Sequence, residues 1–227
     1  MADDDPDVPS VANLQSRSGA AAWVATADTK RPQRIHIRNA IVNALQSLAP
    51  GSGVLELGSG PGFLAEQALR RCPNLVRYTL LDFSQPMLDM SRDRVGSFPA
   101  ATFVLGDFRS EAWTKCVTAP YEAVVSMQAV HEVRHKRHVP RLYRQIYGIL
   151  VSTGIFLVAD RVPDDGSSRS AALFMTAEEQ LEALTGAGFM DARILMSGDA
   201  LILCRSAKRD ESSVRSLALD GSWPELN

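Results

Sequence analysis

Residues 54–63 read VLELGSGPGF, an apolar run that breaks into three alternating glycines and then into helical spacing. No other segment narrows the fold as much. Val54, Leu55 and Leu57 form the short apolar run expected of a parallel strand buried on both faces. Gly58, Gly60 and Gly62 lack the Cβ atoms that would obstruct a sharp turn or a close approach to a ligand. The following FLAEQALRR (63–71) is spaced as a helix, so its first N–H groups face the loop and favour an anion there. Such a loop, at the carboxyl end of a first strand, is where open α/β sheets bind nucleotides. Two features depart from the dinucleotide fingerprint. The spacing is G-x-G-x-G rather than G-x-G-x-x-G, and Glu56 stands inside the strand two positions before Gly58. A carboxylate there is costly to bury unless hydrogen-bonded, repels a pyrophosphate, and suits a cationic or ammonium-bearing ligand.

Downstream, strand and helix patterns alternate, which signals βαβ units and a parallel sheet. Strands are expected at 76–81, ending at Asp82, at 101–105, ending near Asp107, at 121–127 and at 154–159. Helices are expected at 86–95 and 140–150, the second with Pro140 in its first turn. Thr176-Ala177-Glu178-Glu179 is a capping box that opens a last helix, stopped by Gly188. Residues 189–196 and 200–205, joined by Ser197-Gly198-Asp199, read as a terminal antiparallel hairpin. Before the glycine loop, 20–48 holds two helical stretches with a polar joint at 28–32; Ile35, Ile41, Val42, Leu45 and Leu48 line one face of the second. The fold class is therefore α/β: a Rossmann-like, doubly wound, mostly parallel seven-stranded sheet with a terminal antiparallel hairpin and helices on both faces. The expected organisation is a flexible arm at 1–18, one domain at 19–206 and a polar tail at 207–227, where Trp223 offers an anchor.

Composition removes several classes. A chain of 227 residues with 45% hydrophobic content can bury a sizeable core as one domain. A net charge of −2 gives no global field to recruit nucleic acid or an anionic membrane. Three widely spaced cysteines suit neither a disulfide framework nor a Cys-x-x-Cys metal site, and fit a reducing cytoplasm. The acidic, Pro-containing start is the opposite of a signal peptide, and no apolar run has membrane-spanning length.

The glycine loop with Glu56 before it resembles the first motif of the class I, Rossmann-like methyltransferases that use S-adenosylmethionine, and the element order resembles their fold over 35–206. In that family the closing strands enter the sheet as an antiparallel pair, one inserted beside the fifth strand, whereas a dehydrogenase continues with parallel units. The resemblance implies S-adenosylmethionine as cofactor, with Glu56, Gly58, Ser59, Gly60 and Gly62 at its methionyl end. Asp82 ends the second strand, where an acidic side chain can accept both ribose hydroxyls; a turn or cap role is the bland alternative, although Ser84 can supply the cap. Phe83 and Met87 could pack on the adenine. Leu105-Gly106-Asp107-Phe108 resembles the family's third motif, which implies that Asp107 accepts from the adenine amino group and Phe108 packs near the ring; an Asx-turn is the alternative. Met127, at the end of the fourth strand, completes the cofactor set.

His131-Glu132-Val133-Arg134-His135 matches the zinc-protease pattern H-E-x-x-H, and His138 would add a third imidazole on a continuous helix. Pro140 disfavours helix just before it, so 131–138 should precede the helix and no metal is expected. The run SMQAVHEV (126–133) resembles instead the segment lining the cleft of small-molecule methyltransferases, with Glu132 where the family carries a second His. His131 is a candidate general base, with a packing histidine as the equal alternative. A short 160–175 leaves the cleft lid mostly to residues 11–40, with the helices of 19–50 forming part of it, which makes Trp23, Arg31 and Arg34 candidate acceptor contacts; Gln128, after the fourth strand, is a further one. A basic run such as 134–144 is usually a solvated helix face, with steering of an anionic acceptor or RNA as the alternative, and no RNA-binding module accompanies it. The expected activity is methyl transfer to a small-molecule acceptor. A non-catalytic cofactor-binding module, or an RNA or protein methyltransferase, is the alternative. The sequence is silent on the acceptor and on oligomeric state.

Overall fold

The computed structural model describes residues 6–10, 13–30, 33–163, 166–198 and 200–208. Arg31 and Trp223 lie outside them. Helices α1 (Arg17–Lys30) and α2 (Arg34–Leu45) precede β1 (Gly53–Leu57), α3 (Phe63–Arg71), β2 (Arg77–Asp82), α4 (Gln85–Val95) and β3 (Ala101–Leu105). Then come β4 (Tyr121–Met127), α5 (Val139–Ile149), β5 (Leu150–Arg161), α6 (Ser168–Leu173), α7 (Ala177–Gly186), β6 (Met190–Gly198) and β7 (Leu201–Ala207).

These strands form one seven-stranded sheet in the order β3-β2-β1-β4-β5-β7-β6. β1 to β5 are parallel, β7 runs antiparallel to β5, and β6 antiparallel to β7. Only β7 is reversed, because β6 returns to the common direction. The chain winds outward in opposite senses from β1 and β4, so their carboxyl ends flank the switch point where a ligand crevice opens.

Two apolar layers cover the sheet. On one side Ile37, Ile41, Val42 and Leu45 of α2, with Leu64 and Leu69 of α3, pack on Val54, Val125 and Leu157. On the other, Tyr143 and Ile146 of α5 and Leu184 of α7 pack on Leu55, Val124 and Phe156. β1 is buried at every position, as its unbroken apolar run requires.

Four expectations need adjustment. α1 runs on to Lys30, through the start of the expected joint. β5 begins at Leu150 rather than Gly154, directly after α5. Segment 160–175 contains the short helix α6. Within the stretch 1–18, expected as a flexible arm, the described Val8 and Pro9 are held: Val8 packs on Leu173 and Phe174, its amide donates to the Arg134 carbonyl at 2.9 Å, and Arg134 donates back to the carbonyls of Val8 and Pro9. An isolated valine in an acidic segment carries no periodicity that would reveal such docking.

Candidate functional site

The carboxyl ends of β1, β2 and β4 and the α1–α2 region enclose a cavity of about 460 Å³. Its floor is the glycine loop. Gly58 and Gly60 adopt left-handed φ of 66° and 53°, a region disfavoured for residues with a Cβ. A Cβ at Gly58 would lie 2.2 Å from that of Ala129, whereas at Gly60 nothing stands within 4 Å, because that position opens on the crevice. Gly62 is the left-handed N-cap of α3 and packs under Ser91, away from the cavity.

Both acidic strand ends reach the cavity wall. Glu56 is 3% exposed and accepts from the Tyr78 hydroxyl at 2.8 Å. Burial pushes its carboxyl up to about 8, against that hydrogen bond and the charge of Arg38. Asp82 accepts from the amides of Gly60 at 2.8 Å and Ser84 at 2.9 Å, one on each oxygen, which ties β2 to the loop. Burial lifts it to about 6, and the amides of Ser84, Gly60 and Phe83 limit the rise. Ser84, not Asp82, caps α4 by accepting from the Met87 amide. The Asp82 carboxylate therefore keeps acceptor capacity for a further donor.

Phe83, Met87, Phe108 and Met127 line the same cavity, as do Ser59, Trp23, Arg34, Gln128 and His131. Asp107 does not. Arg109, two residues on, holds it through its Nε and a guanidinium nitrogen at 2.6 Å, and both side chains are more than a third exposed. Burial alone would raise the Asp107 carboxyl, but those hydrogen bonds and that charge outweigh it and hold the group below its ordinary range.

Opposite the loop, Gln128 has a left-handed φ of 55°. A non-glycine residue held there marks local strain, which clusters at functional sites. Its Oε1 accepts from Arg34 Nε, and the Arg34 guanidinium lies 4.8 Å over the Trp23 ring. Its Nε2 is buried without a hydrogen-bond partner, as is Ser59 Oγ in the loop. Two orphaned polar atoms on one cavity are capacity for a polar ligand.

His131 sits on a 3-10 turn (Val130–Val133) directly after β4. Arg134 follows with a φ of 71° and a second such turn spans Lys136–His138, so the H-E-x-x-H residues share no helical face. The imidazole pairs with Asp160 at the end of β5, which sequence reasoning missed. Nδ1 lies 2.7 Å from Asp160 Oδ1, and Nε2 is 3.6 Å from Glu132. Burial lowers the basicity of the ring, but the Asp160 charge and hydrogen bond, with Glu132, outweigh it and leave His131 above its ordinary range. Arg38, Phe63 and Arg161 also line the cavity without having been anticipated. The basic run is partly engaged in ion pairs, Lys136 with Glu179, Arg137 with Asp7 and Arg141 with Glu111, while Arg137 and Arg144 stay exposed as a solvated face requires.

The family profile described as "Methyltransferase domain" matches residues 54–154, from β1 into β5. That stretch is similar to a methyltransferase domain. Solved structures share its fold. Human N-acetylserotonin methyltransferase in complex with SAM has a TM-score of 0.66 at 16% identity, covering 87% of this chain and 58% of that one. Haemonchus contortus phosphoethanolamine N-methyltransferase 2, also with S-adenosyl-L-methionine, gives 0.66, 16%, 87% and 58%. The CurJ carbon methyltransferase gives 0.62 at 13% identity, covering 77% and 53%. The chain thus spans little more than half the length of these neighbours, and at such identities the likeness is one of fold. No curated protein matches the sequence. Among the described residues no helix is long and apolar enough to cross a membrane.

Proposed function

We propose that the chain is an S-adenosylmethionine-dependent methyltransferase acting on a small-molecule acceptor, with 19–206 as its single domain. The observation that carries this reading is the convergence of Glu56 and Asp82 on one cavity beside the open Gly60. When bound, the cofactor supplies an activated methyl on a sulfonium. Glu56 would hold the ammonium end, Asp82 the ribose hydroxyls, and Ser59, Gly58 and Gly60 the methionyl end. Phe83, Met87, Phe108 and Met127 would contribute apolar wall. Asp107 joins the set only where Arg109 releases it.

For a methyl already activated, the protein's main contribution is alignment of the nucleophile and exclusion of water. Trp23 and Arg34 close the cavity from the N-terminal helices, in support of their acceptor role, and Gln128 presents an amide N–H to the same space. His131 takes the acceptor proton at Nε2, while Asp160 holds Nδ1 and favours the imidazolium that forms. The three cysteines are free, which supports a reducing, cytoplasmic setting. The test is a methyl-transfer assay with S-adenosylmethionine over a panel of small hydroxyl, amine and thiol acceptors, reading S-adenosylhomocysteine. Turnover with at least one acceptor, lost in His131→Ala for an acceptor that must be deprotonated, supports the reading. Absence of both turnover and cofactor binding would remove it.

A further inference from the structure

The nitrogen that takes the acceptor proton has an acidic neighbour. Glu132 Oε1 lies 3.6 Å from His131 Nε2, beyond hydrogen-bond reach, while Glu132 Oε2 accepts from Arg134 Nη1 at 2.9 Å. We infer that Arg134 is a positioning residue: by holding Glu132 away from Nε2, it keeps that nitrogen open to the acceptor. The inference rests on the methyltransferase reading with His131 as its base, and it brings in a part of the chain remote from the cofactor loop.

Arg134 is held firmly enough for that role. It is buried, has a left-handed φ of 71°, and its amide donates to the His131 carbonyl at 3.0 Å, so it closes the turn that carries the imidazole. Its planar guanidinium is fixed from three sides. Besides the Glu132 bond, Nε donates to the Val8 carbonyl at 2.8 Å and Nη2 to that of Pro9 at 2.6 Å. The Val8 amide returns a bond to the Arg134 carbonyl at 2.9 Å, and Val8 itself packs on Leu173 and Phe174. Residues 8 and 9 therefore reach the base through two side chains, Arg134 and Glu132.

Among the described residues, Arg134 is the only hydrogen-bond donor to the Glu132 carboxylate, and the other ion-pair partner of Glu132 is the His131 ring. Without Arg134, carboxylate and imidazolium close into a charge-assisted hydrogen bond. The ring is then held by Asp160 at Nδ1 and by Glu132 at Nε2, protonated on both nitrogens and with no lone pair to take a proton. The charges around the ring are Asp160 at the end of β5, Arg161 across the Phe174 ring, and Glu132 and Arg134 on its own turn. Glu132 also acts on Asp82 at the end of β2 and on Arg109 beyond β3. Asp160 and Glu132 raise the His131 midpoint, whereas Arg134 lowers it. Loss of Arg134 therefore raises the midpoint twice over, by removing a cation and by releasing Glu132.

The test is NMR titration of the His131 ring in the full chain, with its signals assigned through His131→Ala. Arg134→Gln should raise the midpoint by about one pH unit, the lower end of what a charge within a few ångströms produces. Glu132→Gln should lower it, and the double variant should fall back to about the parent midpoint. In the methyl-transfer assay, turnover by Arg134→Gln at pH 7 should drop about tenfold and return as pH is raised by about one unit. Damaged packing would give no such recovery. If Arg134→Gln does not fold, Val8→Gly decides: it removes the apolar anchor of the segment and should raise the midpoint by less, in the same direction. A midpoint that stays or falls in the deciding variant overturns the inference. So does a double variant that keeps the full rise, because the rise would then bypass Glu132. The titration needs no cofactor, so failure of S-adenosylmethionine to bind overturns the methyltransferase reading while the midpoints stand.

Discussion

Asp160 holds His131 at two points: its Oδ2 accepts from the His131 amide at 2.9 Å, and its Oδ1 lies 2.7 Å from Nδ1. The ring is thereby fixed in orientation, which leaves Nε2 as the nitrogen that the proposed base role requires.

Asp160→Asn should therefore lower the His131 titration midpoint. In the parent, burial pulls the midpoint down and the Asp160 and Glu132 charges overcome it, so it lies above the ordinary value. A His raised on folding adds stability that is complete below its unfolded pKa and lost as pH rises through the folded one. NMR titration of the ring in parent and variant is the check. An unmoved midpoint would detach Asp160 from the role given to it.

Thermal stability of the ligand-free protein should fall from pH 5 to pH 8. Glu56 and Asp82 are raised on folding, to about 8 and about 6, so the folded state holds protons that the unfolded state has released. Stability then drops as pH climbs. His131 acts in the same direction. Glu56→Gln should flatten the curve above pH 6. A cationic ligand at Glu56 should bind more tightly as pH rises towards 8, with proton release that the variant lacks; calorimetry in buffers of different ionisation enthalpy measures this.

Asp82→Ala should weaken S-adenosylmethionine binding by about 1–3 kcal/mol, the range for a lost buried hydrogen-bond partner, and also lower the melting temperature because Gly60 and Ser84 lose their acceptor. Asp107→Ala should cost less in affinity, since Arg109 already occupies its carboxylate. An Asp107 effect equal to that of Asp82 would mean that Arg109 gives way when ligand binds.

The two loop glycines should fail differently when changed to Ala. Gly58→Ala drives a methyl into Ala129 and should unfold the loop. Gly60→Ala meets only a left-handed φ, costing about 1–2 kcal/mol, and should fold while losing ligand affinity. Circular dichroism melts beside binding isotherms separate the two.

What the sequence made legible was what is local or follows from strand order. The loop glycines show in their spacing, and Glu56 and Asp82 meet because β1 and β2 are neighbours in any such sheet. The Thr176 and Glu179 capping box formed as its pattern requires. Pairings set by tertiary register stayed hidden. Asp160 meets His131 only because β4 and β5 align Met127 with Ala159, which brings the residues that follow each of these together. Asp107 obeyed the strand-end rule and was then captured by Arg109, a pair that the motif does not encode. Arg38 and Arg161 lay in a helix and a strand whose polar faces carried no mark of which would turn to the cavity.

The most direct test of the central claim is calorimetric titration of the purified chain with S-adenosylmethionine and, separately, with NAD. The account predicts one-site binding of S-adenosylmethionine, weakened in Asp82→Ala and Gly60→Ala, and no binding of NAD. Binding of NAD with no heat from S-adenosylmethionine would contradict it.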